Sequence, residues 1–324
     1  MPVNRPPSDP GELLTLAQQG DRVALARLIS FVERGGEPSL AVARLAYRSD
    51  VPYTVGLTGA PGAGKSTLTD RLITAVRSGW PEPTPEPIDQ VGILAIDPTS
   101  PFSGGAILGD RVRMQQHVLD PTVFIRSMAT RGHLGGLALA VPDAVRVLGA
   151  AAMPVVIIET VGVGQMEVEI ASAADTTVVV VTPGWGDSMQ ANKAGLLEIA
   201  DLFVINKADR PGAREARRDL EQMLDLSTLG DWRPPVVDTI ASKGDGIDDL
   251  WGEIARHRAH LQQGGHLEQR RTERVAHELR RVMMARSKVT IEEVAAGEEF
   301  SRAVKAVVSG ELDPYEAADR LMPD

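Results

Sequence analysis

The chain of 324 residues contains no cysteine. Disulfide bonds, thiolate metal ligands and a cysteine nucleophile are therefore excluded. Aromatic residues make up only 4% of the sequence, and no apolar run is long enough for a membrane-spanning helix. Residues 1–11 lack the apolar segment that is typical of a signal peptide. We therefore expect a cytoplasmic protein with no membrane among its partners.

The chain is acidic, with 34 Lys and Arg residues against 44 Asp and Glu residues and a formal net charge of −10. Nucleic acids bind mainly to basic surfaces, through their phosphates. We therefore expect no nucleic acid among the partners. The length suffices for one large α/β core with additional elements.

The most informative segment is GAPGAGKS (59–66), which matches the phosphate-binding pattern G-x-x-x-x-G-K-[ST] between a predicted strand and a predicted helix. Glycine permits the tight turn in which successive N–H groups surround a phosphate. Lys65 supplies positive charge for the β- and γ-phosphates, and the Ser66 hydroxyl can ligate Mg²⁺. The predicted phosphate-binding residues are Gly59, Ala60, Pro61, Gly62, Ala63, Gly64, Lys65, Ser66 and Thr67.

A second motif, NKAD (206–209), follows another apolar run and matches the guanine-reading pattern N-K-x-D. An ionised Asp209 can only accept hydrogen bonds, so it suits the N1–H and 2-amino donors of guanine. Adenine lacks this pair of donors, and we therefore predict a guanine nucleotide. Asn206, Lys207 and Asp209 are the predicted base-binding residues of this motif.

Acidic residues between the two motifs are candidates for Mg²⁺ ligands. Asp97 ends the predicted strand 91–96 and opens a turn-rich loop that continues to Asp110. Carboxylates are hard oxygen ligands, and ligands bind at the carboxyl ends of parallel strands. We interpret both residues as Mg²⁺ ligands or water-positioning acids. Capping of a turn is the alternative for both, and it competes most strongly for Asp110.

Glu159 ends the predicted strand 155–158 and opens ETVGVGQ (159–165), which is typical of a segment that contacts Mg²⁺ and the γ-phosphate. The Gly162 N–H would contact the γ-phosphate, so that hydrolysis releases the loop. Val163 stands where many signalling GTPases have a water-orienting Gln, and Gln165 lies two residues further on. We therefore expect slow intrinsic GTP hydrolysis that a partner accelerates. The predicted catalytic residues are Lys65, Asp97, Asp110, Glu159 and Gly162, and the predicted metal ligands are Ser66, Asp97, Asp110 and Glu159.

Short β-branched runs separated by helical stretches predict a mainly parallel sheet that is buried on both faces. We expect an α/β fold of the P-loop NTPase type over residues 51–263, flanked by helices and preceded by an N-terminal helical extension (1–50). The sequence from 264 to 324 predicts a separate helical module. His257 and His260, spaced i, i+3 on a charged predicted helix, are interpreted as part of a solvated face.

Four linked segments resemble the methylmalonyl-CoA mutase-associated GTPases, the MeaB/ArgK group of P-loop GTPases. They are DPTSPFSGGAILGDRVRM (97–114), RSMATRGHLGG (126–136), ETVGVGQ (159–165) and GDSMQANKAGLLEIADLFVINKAD (186–209). The resemblance covers nearly the whole chain. It implies a chaperone that uses GTP to gate the loading of adenosylcobalamin onto a cobalamin-dependent acyl-CoA mutase, and to protect that mutase. The client would be methylmalonyl-CoA mutase or a close relative.

The same resemblance implies further features. GTP or GDP with Mg²⁺ would be the cofactors, the C-terminal helices (264–324) would form a homodimer, and a cobalamin adenosyltransferase is a candidate second partner. Lys193 would belong to a third switch (184–193) that couples the nucleotide state to the mutase, together with Gln165 and Asp187. The backbone of Ala241 would make the fifth guanine contact.

Two other classes of function stay open. The first is a metallochaperone GTPase for another metalloenzyme, although such proteins usually hold metal with Cys or His-rich segments, and the chain has no cysteine. The second is a kinase linked to amino-acid transport, against which the guanine-reading motif argues.

Overall fold

The computed structural model describes residues 8–98, 117, 119–130, 136–160, 173–184, 193–227 and 230–322. Contacts between residues divide the chain into two compact units, Met1–Arg274 and Val275–Asp324. The predicted domain limits at residues 50 and 263 stay predictions. Within the described residues, no helix combines the length and the apolar character needed to cross a lipid bilayer.

A parallel sheet forms the centre of the first unit. Its strands in the described residues are β1 (Tyr53–Gly59), β2 (Val91–Pro98), β3 (Val123–Thr130), β4 (Val155–Thr160), β5 (Thr176–Val181), β6 (Leu202–Asn206) and β7 (Val236–Thr239). They lie in the order β3-β2-β4-β1-β5-β6-β7, and each neighbouring pair is parallel. Every residue of β1, β4, β5 and β6 is buried, which explains why these strands are continuous apolar runs. The predicted mainly parallel α/β fold is confirmed.

Helices cover both faces of this sheet. The described helices of the first unit are α1 (Pro10–Gln18), α2 (Arg22–Arg34), α3 (Gly36–Ala46), α4 (Lys65–Arg77), α5 (Gly136–Ala150), α6 (Lys193–Ile199), α7 (Ala213–Leu226) and α8 (Ile247–Gln263). In β5, Val178 and Val180 belong to the core beneath α4 and α8, whereas Val179 and Val181 pack against α7. This alternation follows from the two-residue period of a strand.

The N-terminal helices are fixed against the edge of the sheet. Asp9 and Asp21 cap α1 and α2 by accepting hydrogen bonds from backbone N–H groups of the first turn. In β3, the Arg126 guanidinium pairs with Glu33 and donates to Ser30 Oγ, both in α2. The apolar faces of α1–α3 complete a core with α5 and β2–β4.

Two buried carboxylates hold the first part of a further helix, α9 (His266–Ala295), up to Arg274, at the amino edge of the sheet. Asp175 immediately precedes β5 and pairs with Arg271 at 2.8 Å and Arg274 at 3.0 Å. Asp201 immediately precedes β6 and pairs with Arg270 at 2.8 Å. Burial by itself would raise the pKa of Asp175, but the hydrogen bond from Arg271 and the charges of both arginines hold that pKa below its usual value.

The interpretation of His257 as part of a solvated face is wrong. Its side chain is fully buried, with Nδ1 at 2.9 Å from Thr176 Oγ1 and Nε2 at 3.3 Å from Asp201 Oδ1. Helix α8 carries charged residues on its exposed side. His257 nevertheless faces the interior, because the Asp201 carboxylate and the Thr176 hydroxyl lie beside it as polar partners.

The second unit contains the remainder of α9, with α10 (Glu298–Val308) and α11 (Pro314–Leu321), which contact each other. Asp313 caps α11 by accepting hydrogen bonds from the N–H groups of Tyr315 and Glu316. Helix α9 contains no buried residue.

Asp175 offers a test of the anchored edge. We expect Asp175→Asn to lower the free energy of unfolding by about 2–4 kcal/mol at pH 7, because two arginines lose their buried counter-charge. The folded-state pKa is lowered, so the carboxylate stabilises the fold above its unfolded pKa of about 3.9 and loses this effect as the pH falls through the lower folded value. The difference between the two proteins should therefore shrink below about pH 4.

Urea unfolding at pH 7 and at stepwise lower pH measures this difference. Asp225→Asn is the matched control, because Asp225 pairs with Arg233 where both side chains are more than half exposed. That change should cost less than about 1 kcal/mol. Equal effects of the two substitutions would contradict the anchoring role.

Candidate nucleotide site

The two sequence motifs meet at the carboxyl edge of the sheet. The loop 59–66 connects β1 to α4, the NKAD segment follows β6, and residue 241 lies just after β7. Because these strands are parallel, their carboxyl ends lie at the same edge, where ligands of such sheets bind. The predicted phosphate-binding and base-binding segments are therefore neighbours in space.

The phosphate loop depends on two glycines that approach other parts of the chain. Gly59 has φ +137° and Gly64 has φ +91°, values that strain any residue with a Cβ. A Cβ on Gly59 would lie 2.1 Å from the Val180 carbonyl oxygen, and a Cβ on Gly64 would lie 2.4 Å from Asn206 Nδ2. Glycine is thus required by packing as well as by backbone conformation.

Lys65 and Ser66 begin α4, so they lie at the positive end of the helix dipole. Lys65 Nζ donates to the carbonyl oxygens of Gly59 at 2.6 Å and Ala60 at 3.0 Å, which curls its buried side chain over the loop. Ser66 Oγ donates to Glu159 Oε1 at 2.6 Å. Both are buried, and a hydroxyl next to a carboxylate is a hard-oxygen donor set that fits Mg²⁺.

The remaining predicted phosphate-side residues are not all described. Asp97 lies in β2 and Lys193 begins α6, but the side chains of both are outside the described part of the structure. Asp110, Gly162, Gln165 and Asp187 are outside the described residues. The roles of these six residues stay predictions.

Asn206 joins the phosphate loop to the two base-side loops. Its side chain is buried, and Nδ2 donates to the Ala63 carbonyl at 2.8 Å. Oδ1 accepts from the Lys207 N–H at 2.9 Å, the Ala241 N–H at 3.1 Å and the Thr239 hydroxyl at 3.2 Å. Both halves of the amide are therefore used, and three loops are held by one side chain.

Lys207 and Asp209 complete the base side. Lys207 has φ +60°, which is unusual for a residue other than glycine, and its Nζ donates to the Gly62 carbonyl at 2.6 Å. The Asp209 carboxylate is 42% exposed and lies 3.4 Å from Lys243 Nζ. Sequence analysis missed Lys243, although its charge, two residues beyond Ala241 and opposite in sign to Asp209, was a usable signal.

A phosphate loop at a helix N-terminus, a Ser–Glu oxygen pair and an N-K-x-D loop at one edge of a parallel sheet define a P-loop GTPase. The model of the methylmalonyl Co-A mutase-associated GTPase MeaB family matches residues 25–298. The chain belongs to this family and is a GTPase that binds guanine nucleotide.

Relatives match over most of the chain. A protein of Pyrococcus abyssi named as a GTPase is 48% identical over 319 residues, which cover 97% of this chain and 96% of that protein. A fused isobutyryl-CoA mutase of Cupriavidus metallidurans is 38% identical over 241 residues, which cover 72% of this chain and 21% of that protein. The crystal structure of an LAO/AO transport system kinase has a TM-score of 0.69 and 26% identity, and the match covers 98% of this chain and 97% of that one.

The phosphate-loop packing predicts different effects for two glycine substitutions. Gly62 has φ +75° but its Cβ would meet no atom within 4 Å, so Gly62→Ala should cost only about 1 kcal/mol of backbone strain. Gly64→Ala should cost at least about 2 kcal/mol more, because the new Cβ displaces a buried Asn206 amide that makes four hydrogen bonds.

Urea unfolding of both variants without nucleotide measures the difference, so that a clash with bound ligand plays no part. Similar losses of stability in the two variants would show that Asn206 does not hold the loop.

Proposed function

We propose that the protein is a GTP-hydrolysing chaperone that gates the loading of adenosylcobalamin onto a cobalamin-dependent acyl-CoA mutase and protects that mutase. One observation carries the proposal. The region of the Cupriavidus protein that matches this chain is part of a single polypeptide named as a fused isobutyryl-CoA mutase. Covalent fusion keeps two partners at high effective concentration, so it favours activities that work together. The client is methylmalonyl-CoA mutase or a close relative such as isobutyryl-CoA mutase.

The geometry of the phosphate side supports GTP hydrolysis at this site. The N–H groups of loop 59–66 and Lys65 Nζ bind the β- and γ-phosphates, and phosphate oxygens replace the Gly59 and Ala60 carbonyls as acceptors for Lys65. Ser66 and Glu159 hold Mg²⁺, with Asp97 and Asp110 as further candidate ligands. Bound Mg²⁺ neutralises charge that develops on the phosphates.

The base side supports guanine as the base. Asp209 accepts hydrogen bonds from guanine N1–H and the 2-amino group, while the backbone of the turn that contains Ala241 faces the 6-oxo group. The pair of Asp209 with Lys243 is exposed, and such pairs contribute at most about 1 kcal/mol. Lys243 therefore keeps the Asp209 carboxylate close to the position from which it binds the base. Breaking this ion pair when the base binds costs little free energy.

Coupling to the mutase runs through the predicted third switch, with Gln165, Asp187 and Lys193. Helix α6 begins at Lys193, and the chain passes from it to β6, which ends at Asn206. Only 13 positions therefore separate Lys193, at the start of α6, from Asn206, whose side chain joins the three loops. A displacement of Lys193 can be transmitted to Asn206 along this short segment. Gly162 contacts the γ-phosphate, so that hydrolysis releases its loop.

GTP turnover of the purified protein, alone and with each candidate mutase, tests the function. We expect slow turnover alone and stimulation of about tenfold or more by one mutase. Lys193→Ala should keep the intrinsic rate but lose most of the stimulation. Glu198→Ala is the matched control, because Glu198 is an exposed charge on the same helix and should leave stimulation unchanged.

Other results of these assays would favour a different function. Stimulation by a different metalloenzyme precursor would replace the mutase with a metallochaperone client, and transfer of phosphate to a protein acceptor would favour the kinase. A cobalamin adenosyltransferase is added in a second series, because it is a candidate partner in cofactor transfer. Stimulation that Lys193→Ala leaves intact would remove that residue from the coupling.

We also propose that the C-terminal helices form a homodimer. Val275, Leu279 and Met283 recur every four residues along α9, so they form one apolar row, and their side chains are 41–59% exposed. A second copy would remove this row from water. The proposed dimer module is residues 264–324.

Light scattering with size-exclusion chromatography tests the dimer. Leu279→Ser combined with Met283→Ser should raise the dimer dissociation constant at least about tenfold, because two apolar side chains are lost from each copy. Leu226→Ser is the control, since Leu226 is a still more exposed leucine, in α7. An unchanged mass for the double variant would contradict this interface.

A further inference from the structure

Arg71 joins the phosphate-loop helix to the loop that follows β7. It lies in α4, six residues after Lys65, and it is half-buried. Its Nε donates to the Ala241 carbonyl at 3.2 Å, and Nη2 donates to the Ser242 carbonyl at 3.3 Å. One rigid guanidinium thus binds two successive carbonyls at once. A lysine ammonium, on its flexible side chain, is less suited to such a two-pronged contact.

The two carbonyls belong to a tight turn. The Lys243 N–H donates to the Ile240 carbonyl at 2.8 Å, so that Ala241 and Ser242 are the central residues. In a trans peptide the C=O of one residue and the N–H of the next point in opposite directions. Holding the Ala241 carbonyl on Arg71 therefore turns the Ser242 N–H to the other side of the loop.

The direction of these groups decides which base the loop accepts. Guanine carries an acceptor at C6, its 6-oxo group, whereas adenine carries a 6-amino donor at the same position. A backbone carbonyl turned toward the base would repel the 6-oxo group and would accept from adenine. A backbone N–H turned toward the base has the opposite preference, and an unmatched polar group in a desolvated site is costly.

We propose that Arg71 is a positioning residue for guanine specificity. By binding the Ala241 and Ser242 carbonyls, it withdraws two acceptors from the base loop and leaves the Ser242 N–H as a donor for the 6-oxo group. This inference rests on the proposed assignment of the Ala241 loop to the base. Arg71 itself does not contact the nucleotide and acts through the backbone.

Arg71 and Asp209 thereby serve different edges of the same base. Asp209 reads N1–H and the 2-amino group from the loop after β6, and the Arg71-held turn reads the 6-oxo group from the loop after β7. Removing either one should change a different part of the base preference. The effect of Arg71 should appear only with nucleotides that carry the 6-oxo group, and the effect of Asp209 should depend on the 2-amino group, so purine analogues separate the two.

Affinities of the full-length protein for GDP, inosine diphosphate and 2-aminopurine riboside diphosphate, with Mg²⁺ present, test the inference. Inosine keeps the 6-oxo group and N1–H and lacks the 2-amino group, whereas 2-aminopurine keeps the 2-amino group and lacks both the 6-oxo group and N1–H. Arg71→Ala should weaken GDP and inosine diphosphate by the same factor, about three- to tenfold for one weakened hydrogen bond. The affinity for the 2-aminopurine nucleotide should stay within about twofold. Arg71→Lys should give an intermediate loss, because one ammonium replaces the two-pronged contact.

Two controls separate the possible failures. Arg77→Ala removes an arginine of the same helix that binds Asp120 and Thr122, away from the base loop, and should change no nucleotide preference. Asp209→Asn should weaken GDP more than inosine diphosphate. If Asp209→Asn shows no such difference, the base assignment of the proposed function fails. If Asp209→Asn behaves as expected but Arg71→Ala weakens all three nucleotides equally, or none, the role of Arg71 is overturned.

Discussion

The amide of Asn206 is the interaction on which the rest of the described nucleotide site depends. Its Nδ2 holds the phosphate loop through Ala63, while its Oδ1 holds the loop after β7 through the Ala241 N–H. An aspartate at this position could not donate to the Ala63 carbonyl, because an ionised carboxylate only accepts hydrogen bonds. Gly64 must lack a Cβ because this amide passes 2.4 Å from where that atom would lie. The last glycine of the phosphate motif and the asparagine of N-K-x-D are therefore one packing unit, although 142 positions separate them in the numbering of the chain.

The opposite edge of the sheet is fixed by charge rather than by amides. Asp175 and Asp201 lie at the amino ends of β5 and β6, and each is buried against arginines of α9. A buried carboxylate that loses its arginine partner is strongly destabilising. These ion pairs therefore fix the position of β5 and β6 relative to the arginines of α9. The same two strands lead to the predicted third switch and to Asn206. The amino edge is thus fixed by these ion pairs, whereas ligands of such a sheet bind at its carboxyl edge.

Features carried by contiguous residues could be predicted from the sequence, and features made by distant pairs could not. The segment 59–66 and the NKAD segment are local patterns, and the buried strands are visible in the sequence as short apolar runs. The sheet and the positions of the two candidate nucleotide-binding segments therefore follow from the sequence. The partners of Arg71 are backbone carbonyls, which no side-chain pattern displays. The pair of Asp175 with Arg271 spans 96 residues. The inward orientation of His257 likewise depends on distant partners, Thr176 and Asp201. A charged helix predicts a solvated polar side chain only where no buried polar partner lies within hydrogen-bond reach of it.

The strand order separates the chemistry of the phosphate from the recognition of the base. The predicted phosphate-sensing segments follow β2, β4 and β5, and β4 and β5 are the direct neighbours of β1, which carries the phosphate loop. The base-reading segments follow β6 and β7, on the far side of β5. A partner that contacts the phosphate-sensing segments can therefore respond to the γ-phosphate without touching the base. In the proposed function, Asp209 and the turn held by Arg71 select guanine nucleotides, and hydrolysis of the bound GTP changes the surface that the partner contacts.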